Sequence, residues 1–181
     1  MLPKSIQYFL YAVVIATFIS SCENDLAVVN KITSKQEAAI EKGKGIEVIY
    51  SNNAIIKAVM KAPFMNHVEG TDAYTELPSG LIMLFYNDSL NVNSRLTAGY
   101  GIRKDNSKQM VVRDNVEVVN LKGEKLNTEE LIWDEKTQRI FSTKFVKITR
   151  KDEILYGQGF ESNADITNYK IKKLSGIIHP E

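Results

Sequence analysis

From Ile46 onward, apolar residues fall at every second position, and no helical spacing returns after that point. Val92, Ser94, Leu96, Ala98, Tyr100 and Ile102 form one face of an extended run; Asn93, Arg95, Thr97 and Arg103 form the other. Successive side chains of a strand point to opposite faces, so this is the signature of a half-buried antiparallel strand. Val112, Val116 and Val118 repeat it against Arg113, Asn115 and Glu117, and Ile154, Tyr156 and Phe160 repeat it near the end. The runs are rich in Val, Ile, Thr, Tyr and Phe, which suit a pleated surface. An all-β domain of roughly ten or more strands is expected.

Turn residues punctuate the runs at Asn52-Asn53, Pro78-Ser79-Gly80, Asn87-Asp88, Lys104-Asp105-Asn106, Lys122-Gly123, Asp134-Glu135-Lys136, Lys151-Asp152 and Asn163-Ala164-Asp165. Beyond Asn106 they are about 12–17 residues apart. A sandwich of short strands turns every 8–12 or so, so longer strands in a curling meander are expected. Three places break the alternation. Residues 80–86 (GLIMLFY) are apolar on both parities, which requires cover on both sides or a shielding neighbour. Leu126 and Leu131 lie on opposite parities, which requires a bulge near Glu129-Glu130. Ala62-Pro63 interrupts a run, and proline belongs at a strand end or a sheet edge.

The N-terminal part differs. Residues 1–21, MLPKSIQYFLYAVVIATFISS, have a basic start at Lys4, an apolar stretch from Ile6 to Ile19, then small residues, which is the layout of a signal peptide. The stretch is short for a membrane span, which wants about 20 apolar residues. Ile19-Ser20-Ser21-Cys22 resembles a bacterial lipobox, in which the cysteine is acylated and becomes the new N-terminus. The alternative is a retained anchor helix with a chance cysteine. Two or more acyl chains on Cys22 would hold the protein on a membrane, and either reading puts the folded part outside the cytoplasm. Residues 22–45 then form a lipidated tether, in which SKQEAAIEK (34–42) has the composition of a short helix stopped by Gly43 and Gly45, and the domain proper covers 46–181.

Charge and chemistry narrow the function. Of 23 basic residues only Lys4 lies in the leader, so 22 remain against 22 acidic ones. A neutral domain is not built to neutralise phosphate backbones, so no nucleic-acid partner is expected. One cysteine and two histidines leave no intrachain disulfide, and no metal or cofactor is expected. A triad would need His67 or His179 as base; the first reads as an ordinary exposed histidine and the second lies in the tail. The paired carboxylates Glu129-Glu130, Asp134-Glu135 and Asp152-Glu153 read as solvated turns, since adjacent residues on a strand diverge. Gly99 and Gly101, like Gly157 and Gly159, lack the third glycine and helix of a dinucleotide fingerprint and read as kinks in a curled sheet. Trp133 and Tyr100 read as core aromatics before ligand stackers. No enzyme is expected; a protein that binds or bridges is.

Several strings occur together in one order: Ile49-Tyr50-Ser51, Lys57-Ala58-Val59-Met60-Lys61-Ala62-Pro63, Leu96-Thr97-Ala98-Gly99-Tyr100, Asp114-Asn115-Val116-Glu117-Val118, the stretch from Gly123 to Asp134, and Gly157-Gln158-Gly159-Phe160. Taken together, over about residues 46–178, they resemble the LptC-type periplasmic proteins of lipopolysaccharide export, in the lipoprotein form of Bacteroidetes-like bacteria. The resemblance implies a curled antiparallel β-jelly roll of the OstA/LptA-like kind, open along one side with an apolar groove. It implies lipopolysaccharide as cargo, the periplasmic domains of LptF and LptG as partners at one end, and an LptA-like bridge protein at the other. It places the chain in the periplasm, held to the inner membrane by lipidated Cys22. Better-known enterobacterial members use a transmembrane helix instead, so regulation from within the membrane is not carried over. Parity and resemblance together nominate Leu96, Ala98, Tyr100, Ile102, Val116, Val118, Val146, Ile148, Ile154, Tyr156 and Phe160 as groove residues. A scaffold that joins envelope complexes through its edge strands, without carrying lipid, is the other reading.

Overall fold

The computed structural model describes residues 40–179; the expected leader, Cys22 and the tether up to residue 39 lie outside them. The described residues form eleven strands: β1 (Ile40–Asn52), β2 (Ile55–Val68), β3 (Tyr74–Leu77), β4 (Leu81–Tyr86), β5 (Val92–Ala98), β6 (Tyr100–Lys104), β7 (Gln109–Asn120), β8 (Lys125–Asp134), β9 (Arg139–Thr149), β10 (Ile154–Asn163) and β11 (Tyr169–Ile178). All belong to one antiparallel sheet. β3 and β4 lie end to end along β2, and β5 and β6 lie end to end along β7. With each of those pairs taken as one interrupted strand, the sheet is a plain meander from β1 to β11. β1 starts at Ile40, so residues 40–45 are strand and not tether, and the last three residues of the expected 34–42 helix pair with β2 instead.

The interruptions fall opposite one another. In β7, Val112 and Val116 are buried while Arg113, Asp114 and Asn115 between them are exposed, and Asp114 and Asn115 take positive φ of 65° and 55°. In β8 the register breaks between Thr128 and Ile132, and in β10 between Gln158 and Phe160. Gly159 has φ 77°, a value that favours glycine. Gly99, between β5 and β6, donates its N–H to the Asp114 carbonyl at 2.8 Å, so the crease keeps its hydrogen bonding at this point. A Cβ on Gly99 would stand 3.0 Å from that of Asp114. Bulges bend a strand and raise its twist. Lined up across neighbouring strands, they crease the sheet into two halves.

Contacts between distant strands show that the halves face each other. The ring of Trp133 on β8 meets Tyr50 of β1 edge-on at 5.1 Å and Phe85 of β4 at 5.6 Å. Ser94 of β5 donates to the carbonyl of Ala164, beyond β10, at 2.5 Å. The core between the halves holds Met60, Leu77, Met83, Leu96, Met110, Leu126, Leu131, Trp133, Ile140 and Phe160, all essentially without solvent contact. Each such side chain contributes about 1.5–3 kcal/mol through burial. This is the all-β, curled jelly-roll-like architecture that the sequence led one to expect.

The alternation breaks have their explanations here. Leu126 and Leu131 are both fully buried, and the irregularity between them is the bulge their parities required. In β4, Leu81, Met83 and Phe85 face the core, Leu84 and Tyr86 are half-buried, and Ile82 remains exposed. Pro63 lies neither at a strand end nor on an edge. It sits inside β2, where that strand stops pairing with β4 at Lys61 and has not yet met β3 at Asn66, so that side has no strand waiting for its missing N–H; on the other side the β1 ladder runs past it, from Ile46–Ala62 to Lys44–Phe64. The single face read from Val92 to Ile102 is two. Gly99 divides it, and beyond the division Gly101 takes the inward place while Tyr100 and Ile102 are half-buried. The face read through Ile154, Tyr156 and Phe160 fails for the same reason: the bulge at Gln158–Phe160 shifts parity by one, so Leu155, Gly157 and Phe160 are buried and Ile154 and Tyr156 only half so.

Candidate functional site

The nominated groove residues divide into two sets. Leu96, Val116, Val118, Val146, Ile148 and Phe160 are packed in the core, with Ala98 at its border. Their side chains fill the space between the half-sheets. The other four lie outside this group. Tyr100 is half-buried and its hydroxyl donates to Glu76 at 2.9 Å; burial, then this bond, raises its pKa. Ile102 lines a cavity of about 300 Å³ with Ala73 and Tyr74. Tyr156 stacks on exposed Phe145 at 6.0 Å, and Ile154 pairs with Ile178 near the β11 edge.

The interior is reached where the free ends of the two half-sheets meet, opposite the crease. Among the described residues no ladder joins them there; side chains do. On one side Asn93 Nδ2 donates to Asp165 at 2.8 Å, beside the Ser94–Ala164 bond. On the other, Arg103 of β6 reaches across to Tyr50 from its own half-sheet, where it is fastened to Glu135 on the far side of β7. Its Nε and Nη2 donate to the two carboxylate oxygens of Glu135 at 2.5 and 3.2 Å, its Nη1 donates to Asp105, and its guanidinium lies 6.0 Å from the centre of the Tyr50 ring. The Glu135 hydrogen bond holds the Arg103 pKa above its ordinary value. Burial pushes the Tyr50 phenol up to about 12, against the opposing effect of Arg103. Trp133 Nε1 is buried with no acceptor. Beside these residues is a cavity of about 450 Å³ lined by Tyr50, Asn52, Lys57, Lys108, Trp133 and Lys136, among others. Sequence reading put Trp133 in the core, where it is, but had no sign of the Arg103–Glu135 pair, whose members are 32 residues apart.

The polar residues weighed for chemistry have structural roles. His67 Nδ1 is 3.0 Å from the Thr75 hydroxyl across the β2–β3 pair. Glu130 accepts from Arg113 at 2.7 Å and Glu153 from Arg150 at 2.8 Å. Asp134 accepts the backbone N–H groups of Lys136 and Thr137 and the amide of Gln109. The Thr137 bond contributes most to lowering its pKa.

Both sheet edges are bare among the described residues: β1 pairs with β2 alone and β11 with β10 alone. Each carries exposed apolar side chains, Ile40 and Ile49 on β1, and Leu174, Ile177 and Ile178 on β11. An edge strand of this kind is a template for another chain's strand.

A family model described as "Lipopolysaccharide-assembly, LptC-related" matches residues 7–173. The chain belongs to this family. The match covers the whole creased sheet up to the middle of β11. No curated protein matches the sequence. Membership makes this LptC-related chain a component of lipopolysaccharide transport and points to the periplasmic side of the inner membrane. LptC-related proteins are transport components and not a known enzyme family.

Proposed function

We propose that this LptC-related chain is a membrane-tethered lipid-transfer component. It receives lipopolysaccharide from the LptF and LptG periplasmic domains at one bare edge and passes it to an LptA-like bridge protein at the other. The observation that carries this reading is the seam. A continuous apolar interior is closed on one side by a handful of side-chain contacts and no backbone ladder. Acyl chains need only a dry surface, and parting the seam would offer one without unpairing any strand. Cys22, acylated, would supply the tether.

The packed interior favours one rival, an envelope scaffold that uses the same edges and carries no lipid. Photo-crosslinking in living cells separates the two. A photoreactive residue at Leu96, which is fully buried, is compared with one at exposed Arg95. The conduit requires lipopolysaccharide adducts at 96 and not at 95, lost when ATP is depleted. Absence of adducts at both, in protein that folds and still co-purifies with its transporter, rejects the conduit and leaves the scaffold. Cys22→Ser is expected to release the protein from the membrane fraction; unchanged membrane retention would reject the lipid tether.

A further inference from the structure

Three lysines line the cavity at the seam, and an ion pair occupies one of them. Lys57 is tied to Asp88 at 2.6 Å, and the cavity's carboxylate, Glu135, is taken by Arg103. Lys108 and Lys136 are exposed and make no ion pair among the described residues. They stand on two different turns, and the turns are fastened together: the Glu135 N–H donates to the Lys108 carbonyl at 3.1 Å. Each lysine's own turn is pinned as well, Lys108 by its N–H to the Lys104 carbonyl at 3.0 Å and Lys136 by its N–H to Asp134 at 3.0 Å. Two like charges held on joined turns repel each other and add nothing to folding. Behind them Trp133 keeps a buried N–H without an acceptor, which normally costs stability. Two ammonium side chains carried on joined turns beside a roomy cavity of mixed lining, with an unpaired indole N–H behind them, fit an anion with several acceptor oxygens. The cavity also adjoins the apolar interior through Trp133, which belongs to both.

We infer that this cavity takes the phosphate-bearing headgroup of a glycolipid whose acyl chains enter the interior through the seam, with Lys108 and Lys136 as the phosphate contacts. The inference rests on the conduit reading and adds the polar end of the cargo to it. A cationic rim above a dry interior matches an amphiphile in both parts.

Trp133 is the only tryptophan, so its emission reports on this site alone. The full chain in detergent is titrated with diphosphorylated lipid A, with the same lipid stripped of phosphate, and with inorganic phosphate. The wild type is expected to bind the phosphorylated lipid more tightly than the stripped one. Lys108→Glu with Lys136→Glu should weaken the phosphorylated lipid about tenfold and leave the stripped lipid unchanged. Lys108→Gln with Lys136→Gln gives a smaller loss in the same direction, and serves if charge reversal disturbs folding. Equal binding of both lipids, unaffected by either double variant, overturns the headgroup site while the conduit stands. A response to inorganic phosphate with none to phosphorylated lipid overturns the lipid source of the phosphate. Failure of the wild type to bind either lipid rejects the conduit itself.

Discussion

Removal of Glu129 together with Glu130 tests whether the bulge sets the two-walled core. The two residues sit in β8 between Thr128, which pairs with Val116, and the buried Leu131; Glu130 pairs with Arg113. Two residues in place of one between Thr128 and Leu131 let Leu126 and Leu131 both face inward despite opposite parity. Deleting Glu129 alone puts Leu126, Thr128, Leu131 and Trp133 in strict alternation and keeps them all inward. Deleting both makes Thr128 and Leu131 chain neighbours, which in a strand face opposite ways. Everything beyond then turns over: Leu131 and Trp133 move to the outer face, and Ile132 and Asp134 move in. Re-exposing Leu131 costs about 1.5–3 kcal/mol, and loss of a packed tryptophan about 3–5 kcal/mol. Asp134 also leaves the N–H groups of Lys136 and Thr137 and enters an apolar space, which costs at least a few kcal/mol more. The total, on the order of 6–10 kcal/mol, is comparable to the whole stability of a domain, typically about 5–15 kcal/mol. Glu129→Ala, by contrast, touches an exposed side chain and should stay within about 0.5 kcal/mol of wild type. Urea unfolding followed by Trp133 emission measures each. The variant lacking both residues is expected to show exposed-tryptophan emission in buffer with no cooperative transition, and the one lacking Glu129 alone to keep both the shielded emission and a transition. In the double deletion, a cooperative transition near the wild-type midpoint, with Trp133 still shielded, would refute the argument that this bulge fixes which side chains face the core.

Two further outcomes follow from the seam. The Tyr50 phenol ionises in the folded protein at about 12 against 10.0 ordinarily, so the fold favours its neutral form. That contribution is complete below pH about 10 and is lost as pH rises towards about 12, at most about 2.7 kcal/mol; Tyr50→Phe should flatten the alkaline fall in denaturation stability, and an unchanged slope would dismiss Tyr50 as its source. Glu135→Gln leaves the half-buried Arg103 with Asp105 as its remaining charged partner, and should cost about 1–3 kcal/mol in thermal or chemical unfolding; a loss below a few tenths would mean that the pair does not hold Arg103 in place beneath Tyr50.

Alternation and turn residues made most of the fold legible. The eight turns read from the sequence all fall between observed strands or start on the last residue of one, and the bulge in β8 was readable because two leucines on opposite parities cannot share a face otherwise. What escaped were interruptions without such a pair. Four apolar or small residues before Gly99 and two after it keep even spacing, so nothing marks the change of strand. In β10 the inward positions Leu155 and Gly157 include a glycine, and the bulkier Ile154 and Tyr156 drew the face to the wrong parity. The site was less visible still. Lys108, Lys136 and Trp133 lie on turns and strands that periodicity locates, but their convergence depends on a hydrogen bond between two turns and on the crease, and neither leaves a spacing in the chain.

The meander has a kinetic consequence. Every ladder joins strands that are neighbours along the chain once the interrupted strands are counted whole. Short loops close at little entropic cost, so such a sheet can zip up hairpin by hairpin from any point. The seam cannot. Tyr50 must find Trp133 across 83 intervening steps of chain (133 − 50), and Ser94 must find Ala164 across 70. These contacts are the last to be made in folding and the first to be given up. In hydrogen exchange, the β-ladders should therefore hold their protons through openings in which the two walls have already come apart.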